Sequence, residues 1–414
     1  MTRRLFTALI AYMVTSAAAQ AAPDEDALGK AAGYPIAPKV SLYTTDPYIV
    51  GSFSGMDTFR PHCTLAPAEH STPLPTATQQ INFSYRFKGA QFTLDDYMQR
   101  QRATAVLVVH AGEIVAERYN YDRTPAMRML SHSMSKTINA LGIMKAQEEG
   151  LIHSLDDTAA TYVPELKGTL YGETKIVDLM RMASGAKFTE DYSKTDDRFK
   201  FNRVAYTQGF VAAAKTVTER ADPPGERFNY TSSQTAVLGL VLRGATHRTL
   251  CDYVDEKIWK PIGAESEATW LLNPADGTEI AMGSFNATVR DYARLGMMMA
   301  HDGRANGQQV ISADHIRDMT DAMRQPPAFR PRIMQWHGSN YSGYGLQTWL
   351  LPGTRRHFAL YGIYGQAIFV DPDLDIVMVH TAVNKDASGD ASGTHMGAER
   401  DALFRGVVAH YGAW

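Results

Sequence analysis

Cysteine is nearly absent: the 414-residue chain carries two, Cys63 and Cys251. A disulfide-framed scaffold is thereby excluded. With no cysteine cluster and no His-Glu-x-x-His helix, the sequence implies no zinc site, and it implies no organic cofactor either. The two thiols either form one bridge or stay separate, since sequence alone does not set their distance. Charge of one sign is missing too. Lys plus Arg number 41 against 44 for Asp plus Glu, a net charge of −3, and the basic residues are scattered. No phosphate-binding face follows, which argues against nucleic acid or an anionic membrane as partner. After the N-terminus no apolar run approaches the roughly 20 residues of a membrane span. No internal repeat appears, and nothing in the sequence sets an oligomeric state.

The N-terminus stands apart. Arg3 and Arg4 precede the apolar run from Leu5 to Val14, and Ser16-Ala17-Ala18-Ala19-Gln20-Ala21 supplies small residues at an A-x-A site. Residues 1–21 therefore read as a signal peptide. Thr2-Arg3-Arg4-Leu5-Phe6 also resembles a twin-arginine signal. The expectation is an exported, periplasmic protein.

Residues 22–80, rich in Pro, Thr, Ser and Ala, read as an irregular wrapping segment. Periodic patterning begins near Ile81. The β-forming run Thr104–His110, the turn Ala111-Gly112 and the stretch Glu113–Asn120 predict a hairpin. Helical patterns dominate residues 136–330, with an amphipathic helix over 287–300. Strands return at 356–361, 366–370 and 375–383, before a last helix near 397–411. Strands at both ends with helices between predict an α/β (α+β) protein. One antiparallel sheet domain, from 81–135 and 331–414, would hold a mainly helical insertion, 136–330.

Chemistry concentrates in Ser131-His132-Ser133-Met134-Ser135-Lys136-Thr137, which opens an apolar helix ending at Gly150. On a helix, positions i and i+3 share a face. Ser133 thus meets Lys136, whose neutral amine can take the hydroxyl proton, while the helix terminus favours developing negative charge. Ser184-Gly185-Ala186-Lys187 is a second Ser-x-x-Lys match, but its surroundings are polar and turn-like. About a hundred residues after Ser133 comes Pro224-Gly225-Glu226-Arg227-Phe228-Asn229-Tyr230-Thr231-Ser232.

In this order and spacing the motifs resemble the serine β-lactamase superfamily. The branch is that of class C β-lactamases, family VIII carboxylesterases and 6-aminohexanoate-dimer hydrolases. The likeness spans roughly residues 85–410 and implies the β-lactamase-like fold, an antiparallel sheet flanked by helices plus an all-helical domain. It implies Ser133 as acylated nucleophile, Lys136 as its base, and Tyr230 as proton relay, either as phenolate or through a hydrogen bond with Lys136, and then as the donor that protonates the leaving group. A tyrosine pKa of about 10 would need lowering by a nearby cation for that task. Ser184 becomes structural, part of a Ser-Gly turn.

The third family motif, Lys-Thr-Gly or His-Thr-Gly, aligns with Leu360-Tyr361-Gly362. The cation that helps hold a substrate carboxylate is missing, so penicillin hydrolysis is not expected. Gly362 would let backbone approach substrate beside Tyr361, and the N–H groups of Ser133 and Ile363 would form the oxyanion hole. Glu190-Asp191-Tyr192, Val50-Gly51-Ser52-Phe53-Ser54-Gly55-Met56 and Ser232 resemble the aminohexanoate-dimer hydrolases in particular. There the residue at Tyr192 would contact the substrate amide nitrogen, and Ser232 would lie at the substrate.

The expected activity is cleavage of a small-molecule amide or ester through an acyl-serine. A D-Ala-D-Ala-type peptidase or β-lactamase is the alternative within enzymes. A non-catalytic penicillin-recognition-fold binding protein is the alternative outside them.

Overall fold

The computed structural model describes residues 22–71 and 74–414; the expected signal peptide, residues 1–21, lies outside them. From the N-terminal side, short helical turns lead to strand β1, His62–Leu65. A small hairpin over 84–93 runs into helix α1, Leu94–Arg100, which opens on a capping box between Thr93 and Asp96. Strands β2, Ala103–His110, and β3, Glu113–Tyr119, follow, then β4, Met129–Leu130, and helix α2, Ser135–Glu148. Helix α3 is Ser232–Thr246; strands β5, Ala268–Leu271, and β6, Phe285–Ala287, precede helix α4, Val289–Ala300. The C-terminal part holds β7, Gly343–Tyr344, β8, Trp349–Leu351, β9, His357–Tyr361, β10, Ala367–Asp371, and β11, Ile376–Ala382, then helix α5, Met396–Tyr411.

The main sheet has seven strands in the order β7-β8-β9-β10-β11-β2-β3, every neighbour antiparallel. The β2–β3 hairpin turns on Ala111 and Gly112, both in the left-handed region (φ 49° and 78°), as a two-residue turn matched to strand twist requires. Both faces of the sheet are covered. Along β11, Val377 and Val379 enter the core under α4, while Ile376 and Met378 enter the core under α5. Such two-sided burial makes these strands read as continuous apolar runs. A Cβ on Gly296 of α4 would lie 2.6 Å from Val377 Cγ1, so glycine lets helix and sheet close up there.

The helical insertion is not all helix. β5 and β6 join β1 and β4 in a second antiparallel sheet, ordered β1-β5-β6-β4. Its short, fully buried runs, such as Ala268–Leu271, carry no alternation that separates strand from buried helix. This sheet ties the N-terminal segment to the insertion, and Cys63 on β1 is disulfide-bonded to Cys251 across 188 residues of sequence. No helix of the described residues is long and apolar enough to cross a membrane.

A bridge that closes so long a loop removes much entropy from the unfolded chain, and losing a native one typically costs about 2–5 kcal/mol. The Cys63→Ser/Cys251→Ser variant is therefore expected to unfold at a lower urea midpoint. Wild-type protein in reductant should fall to a similar midpoint; equal midpoints with and without the bridge would show that it does not clamp the fold.

Candidate active site

The turn that carries Ser133 is held from below. Leu130 on β4 pairs with Asn286 on β6, and Ser131 N–H donates to Phe285 O at 2.8 Å. The chain then makes a 3₁₀ turn, His132–Met134, entered through His132 at φ 46°. Ser133 thus precedes α2 rather than lying within it. In a 3₁₀ turn residues i and i+3 eclipse, and Lys136 Nζ lies 3.2 Å from Ser133 Oγ.

Lys136 is 1% exposed. Its amine also donates to Met282 O at 2.6 Å and Ser232 Oγ at 3.1 Å. Ser232 Oγ in turn donates to Glu190 Oε1 at 2.6 Å, and Ser232 N–H to Glu190 Oε2 at 2.5 Å. The hydrogens can be counted. A carbonyl only accepts, and the single Ser232 hydroxyl proton is committed to the carboxylate. A neutral Lys136 therefore spends its two N–H groups on Met282 and Ser232, and its lone pair is left facing Ser133. Burial lowers its pKa to about 8; the Glu190 charge opposes that shift and Arg198 adds to it. Loss of the proton near neutrality is what a base at this position needs.

Tyr230, 7% exposed, sits in a ring cluster: it stacks on Trp349 (centroids 5.7 Å apart, 26° between planes) beside Phe228, Tyr344 and Trp336. Its hydroxyl faces Ser133, whereas Lys136 Nζ lies 5.3 Å from the ring centroid. Burial, then the charge of Glu190, raises the phenol pKa. The lowering influence on it is the hydrogen bond with Ser133 rather than the expected cation; desolvation outweighs that bond, and the group is held as a neutral phenol.

A cavity of about 180 Å³ is lined by Ser133, Tyr192, Tyr230, Trp336, Trp349 and Tyr361, with Gly362, Ile363 and Arg400 at its walls. Five of the expected residues, Ser133, Tyr192, Tyr230, Tyr361 and Ile363, thus meet in one space. Gly362 does too, but its close approach is to protein: an added Cβ would lie 2.3 Å from Ser131 O. It lets β9 close on the nucleophile turn. Ser232, expected at the substrate, is placed behind the lysine, between Lys136 and Glu190. Leu360 is 1% exposed and belongs to the core on the α4 side. Ser184 is buried, with its N–H bonded to Gln234 Oε1 at 2.9 Å, and Lys187 is turned to solvent against Glu219.

Sequence reasoning missed Glu190 as a partner of the lysine, although it quoted the residue beside Tyr192. It missed Met282, whose contribution is a backbone carbonyl without a residue signature. Arg400 was also missed; its guanidinium lies 4.6 Å from the Tyr361 ring centroid.

Fold and cavity together define a hydrolase built on an antiparallel sheet with a helical insertion. The sequence profile described as Beta-lactamase matches residues 91–403, and the chain belongs to that family. A 6-aminohexanoate-dimer hydrolase from Paenarthrobacter ureafaciens is 28% identical over 302 residues, 69% of this chain and 74% of that one. Among solved structures, a Bacillus anthracis protein provisionally described as a 6-aminohexanoate-dimer hydrolase superposes with a TM-score of 0.75 at 24% identity, covering 88% of this chain and 95% of its own. A family VIII carboxylesterase superposes with a TM-score of 0.52 at 17% identity, covering 74% and 93%. The last two likenesses concern the fold alone.

The Lys136 amine is expected to titrate near pH 8, read from the ¹³Cε shift of labelled lysine and assigned by its loss in Lys136→Ala. Because Glu190 raises that pKa, Glu190→Gln should move the midpoint to lower pH. A midpoint above 10 in wild type, or an upward move in the variant, would contradict the electrostatic account.

Proposed function

We propose that the protein cleaves linear amide or ester bonds of small substrates through an acyl-serine intermediate. The observation that carries this reading is the donor count at Lys136, which leaves the amine lone pair to Ser133 alone. Ser133 Oγ attacks the substrate carbonyl while its proton passes to Lys136 Nζ. The N–H groups of Ser133 and Ile363 take the oxyanion, a kind of contact whose loss typically costs about 10²–10³ in rate. Tyr230, a neutral phenol facing Ser133, donates its proton to the departing oxygen or nitrogen. The proton held by Lys136 then restores the phenol, so that on balance Ser133 has lost one proton and the departing alcohol or amine has gained one. Water repeats the sequence in reverse, releasing the acid and regenerating Ser133.

The relative's name, 6-aminohexanoate-dimer hydrolase, supports a linear amide as the substrate class. Tyr192 at the cavity wall would accept a hydrogen bond from the leaving nitrogen. The buried, apolar Leu360 supports linear substrates over carboxylate-bearing β-lactams. Arg400 at the same cavity suits any substrate that ends in a carboxylate, an aminohexanoate dimer as well as the peptide of the second reading, a peptidase. The signal-like residues 1–21 support export to the periplasm.

The test sets the wild-type mature protein beside Ser133→Ala on a short-chain nitrophenyl ester, a linear aminohexanoate dimer and a chromogenic cephalosporin, with intact-mass spectra at early times. Turnover of ester or dimer, with an acyl adduct lost in the variant, is expected. Equal residual rates without any adduct would leave a binding protein on a hydrolase fold. Tyr192→Phe should lower amide turnover roughly tenfold or more, the worth of a charge-assisted hydrogen bond, and leave ester turnover nearly unchanged.

A further inference from the structure

Two residues flank the proposed oxyanion hole in a backbone conformation that non-glycine residues rarely adopt. His132, immediately before Ser133, has φ 46°, and Tyr364, immediately after Ile363, has φ 60°. Such a conformation is strained and persists only where its surroundings over-determine it. Their surroundings converge on one side chain. The Phe53 ring meets His132 edge-on at 4.8 Å and Tyr364 edge-on at 5.5 Å, while the His132 and Tyr364 rings are 5.5 Å apart. Tyr43 backs the group, 6.1 Å from Phe53 and 6.4 Å from His132.

Phe53 is fixed as firmly as the residues it touches. It is 3% exposed. Its carbonyl accepts from Leu130 N–H at 2.8 Å, three residues before the nucleophile, and neighbouring Ser54 Oγ contacts Met129 Sδ at 3.4 Å. The flanking glycines of the Val50–Met56 stretch hold the segment in place: a Cβ on Gly51 would lie 2.2 Å from Tyr34 O, and one on Gly55 2.5 Å from Ile36 Cδ1. On the other side, Tyr364 is tied by N–H to Ala387 O at 2.9 Å and by its own carbonyl, which accepts from Asn384 N–H at 3.1 Å.

We propose that Phe53 is a positioning residue that sets the separation of the Ser133 and Ile363 N–H groups, by packing edge-on against the strained residue next to each. The inference rests on the acyl-serine reading. Phe53 touches neither substrate nor reacting atoms; it acts through two backbone hinges, one from each side of the hole. The N-terminal segment, outside both the sheet domain and the helical insertion, thereby acquires a role in the reaction.

The test compares Phe53→Ala and Phe53→Leu with wild type on a nitrophenyl ester. It also measures inhibition by a phenylboronic acid, whose tetrahedral serine adduct places an oxygen in the hole. Phe53→Ala is expected to lower kcat by roughly 10–100-fold, short of losing a donor outright, with KM changed less than threefold and boronate inhibition weakened in parallel. Phe53→Leu, which keeps apolar bulk, should recover most of both. A fall in kcat without weaker boronate inhibition, a loss carried by KM, or unchanged kinetics would overturn the proposal. If Phe53→Ala does not fold, Phe53→Val, which removes the ring contacts but leaves a smaller apolar side chain, takes its place with the same expected and contrary outcomes. Failure of wild type to form any acyl adduct would instead remove the acyl-serine reading on which the proposal stands.

Discussion

A lysine amine enclosed with no carboxylate in direct contact is the constraint around which the site is arranged. Burying a charged ammonium costs several kcal/mol unless it is paired, and here the carboxylate of Glu190 is one hydroxyl removed, behind Ser232. The compromise decides the chemistry. Direct contact with Glu190 would hold the lysine charged and useless as a base. Complete absence of the carboxylate would leave nothing to fix which way the Ser232 hydroxyl points, and that hydroxyl could then offer its proton to the amine in competition with Ser133. Interposing Ser232 keeps the orienting effect of the carboxylate and weakens its charge stabilisation. The same carboxylate reaches Tyr230 through space, where burial and negative charge act together to keep the phenol protonated. The acidic group thus raises both titrating residues, and it is burial that separates them, drawing the lysine down towards neutrality and pushing the phenol up.

That arrangement requires elements from distant parts of the chain to meet at fixed separations. Lys136 comes from the start of α2, Ser232 from the start of α3, Met282 from the approach to β6, and Glu190 from a loop. Helix starts recur because they project side chains while their backbone is anchored from outside the helix. Ser135 does this for α2: its hydroxyl lies 3.1 Å from both His132 O and Ala281 O. It thus links the nucleophile turn to the segment that supplies the Met282 carbonyl. Gln347, held at φ 57°, binds the sheet side to the insertion, accepting at its carbonyl from Thr137 Oγ1 and at its side chain from Thr235 Oγ1, both at 2.6 Å. Its amide donates to Leu179 O and Met180 O. The cleft between sheet and helices is therefore closed at its base by polar contacts that are satisfied, as buried groups must be.

What could be read from the sequence was what depends on spacing. Ser133 and Lys136 lie three residues apart, the Pro-Gly turn announces Tyr230, and the apolar runs of β2, β10 and β11 are long enough to declare themselves. What could not be read depends on through-space company. The rings that bury Tyr230 come from residues 228, 336, 344 and 349, so no local pattern foretold that its pKa rises. Ser232 looked like a substrate contact because its position in the motif was visible and its partner, 42 residues away, was not. The second sheet escaped because its strands are two to four residues long and, β1 apart, buried throughout, and the Cys63–Cys251 pair because its separation of 188 residues carries no geometric information. Glu190 illustrates the limit best: the residue was in view, but its role exists only where the loop places it.

Leu360 shows that a departure from a family pattern is a matter of packing as well as of charge. On β9, Leu360 faces the α4-side core and stands opposite Ile368 on β10, while Ala359 and Tyr361 take the other face. A cation at 360 would be enclosed among apolar side chains, at a desolvation cost that only a bound anion or a repacked core could offset. The strand therefore offers no surroundings for a cation at 360, and a single substitution would not supply them. The positive charge near the cavity now belongs to Arg400, carried on α5 and stacked over Tyr361 and Phe369. There it approaches from the opposite face of the sheet. Its guanidinium is already held there by Asp401 Oδ1, at 3.2 Å from Nη2 and 3.3 Å from Nε, so the face of β9 buried against each helix decides where a charge can stand and what partners it.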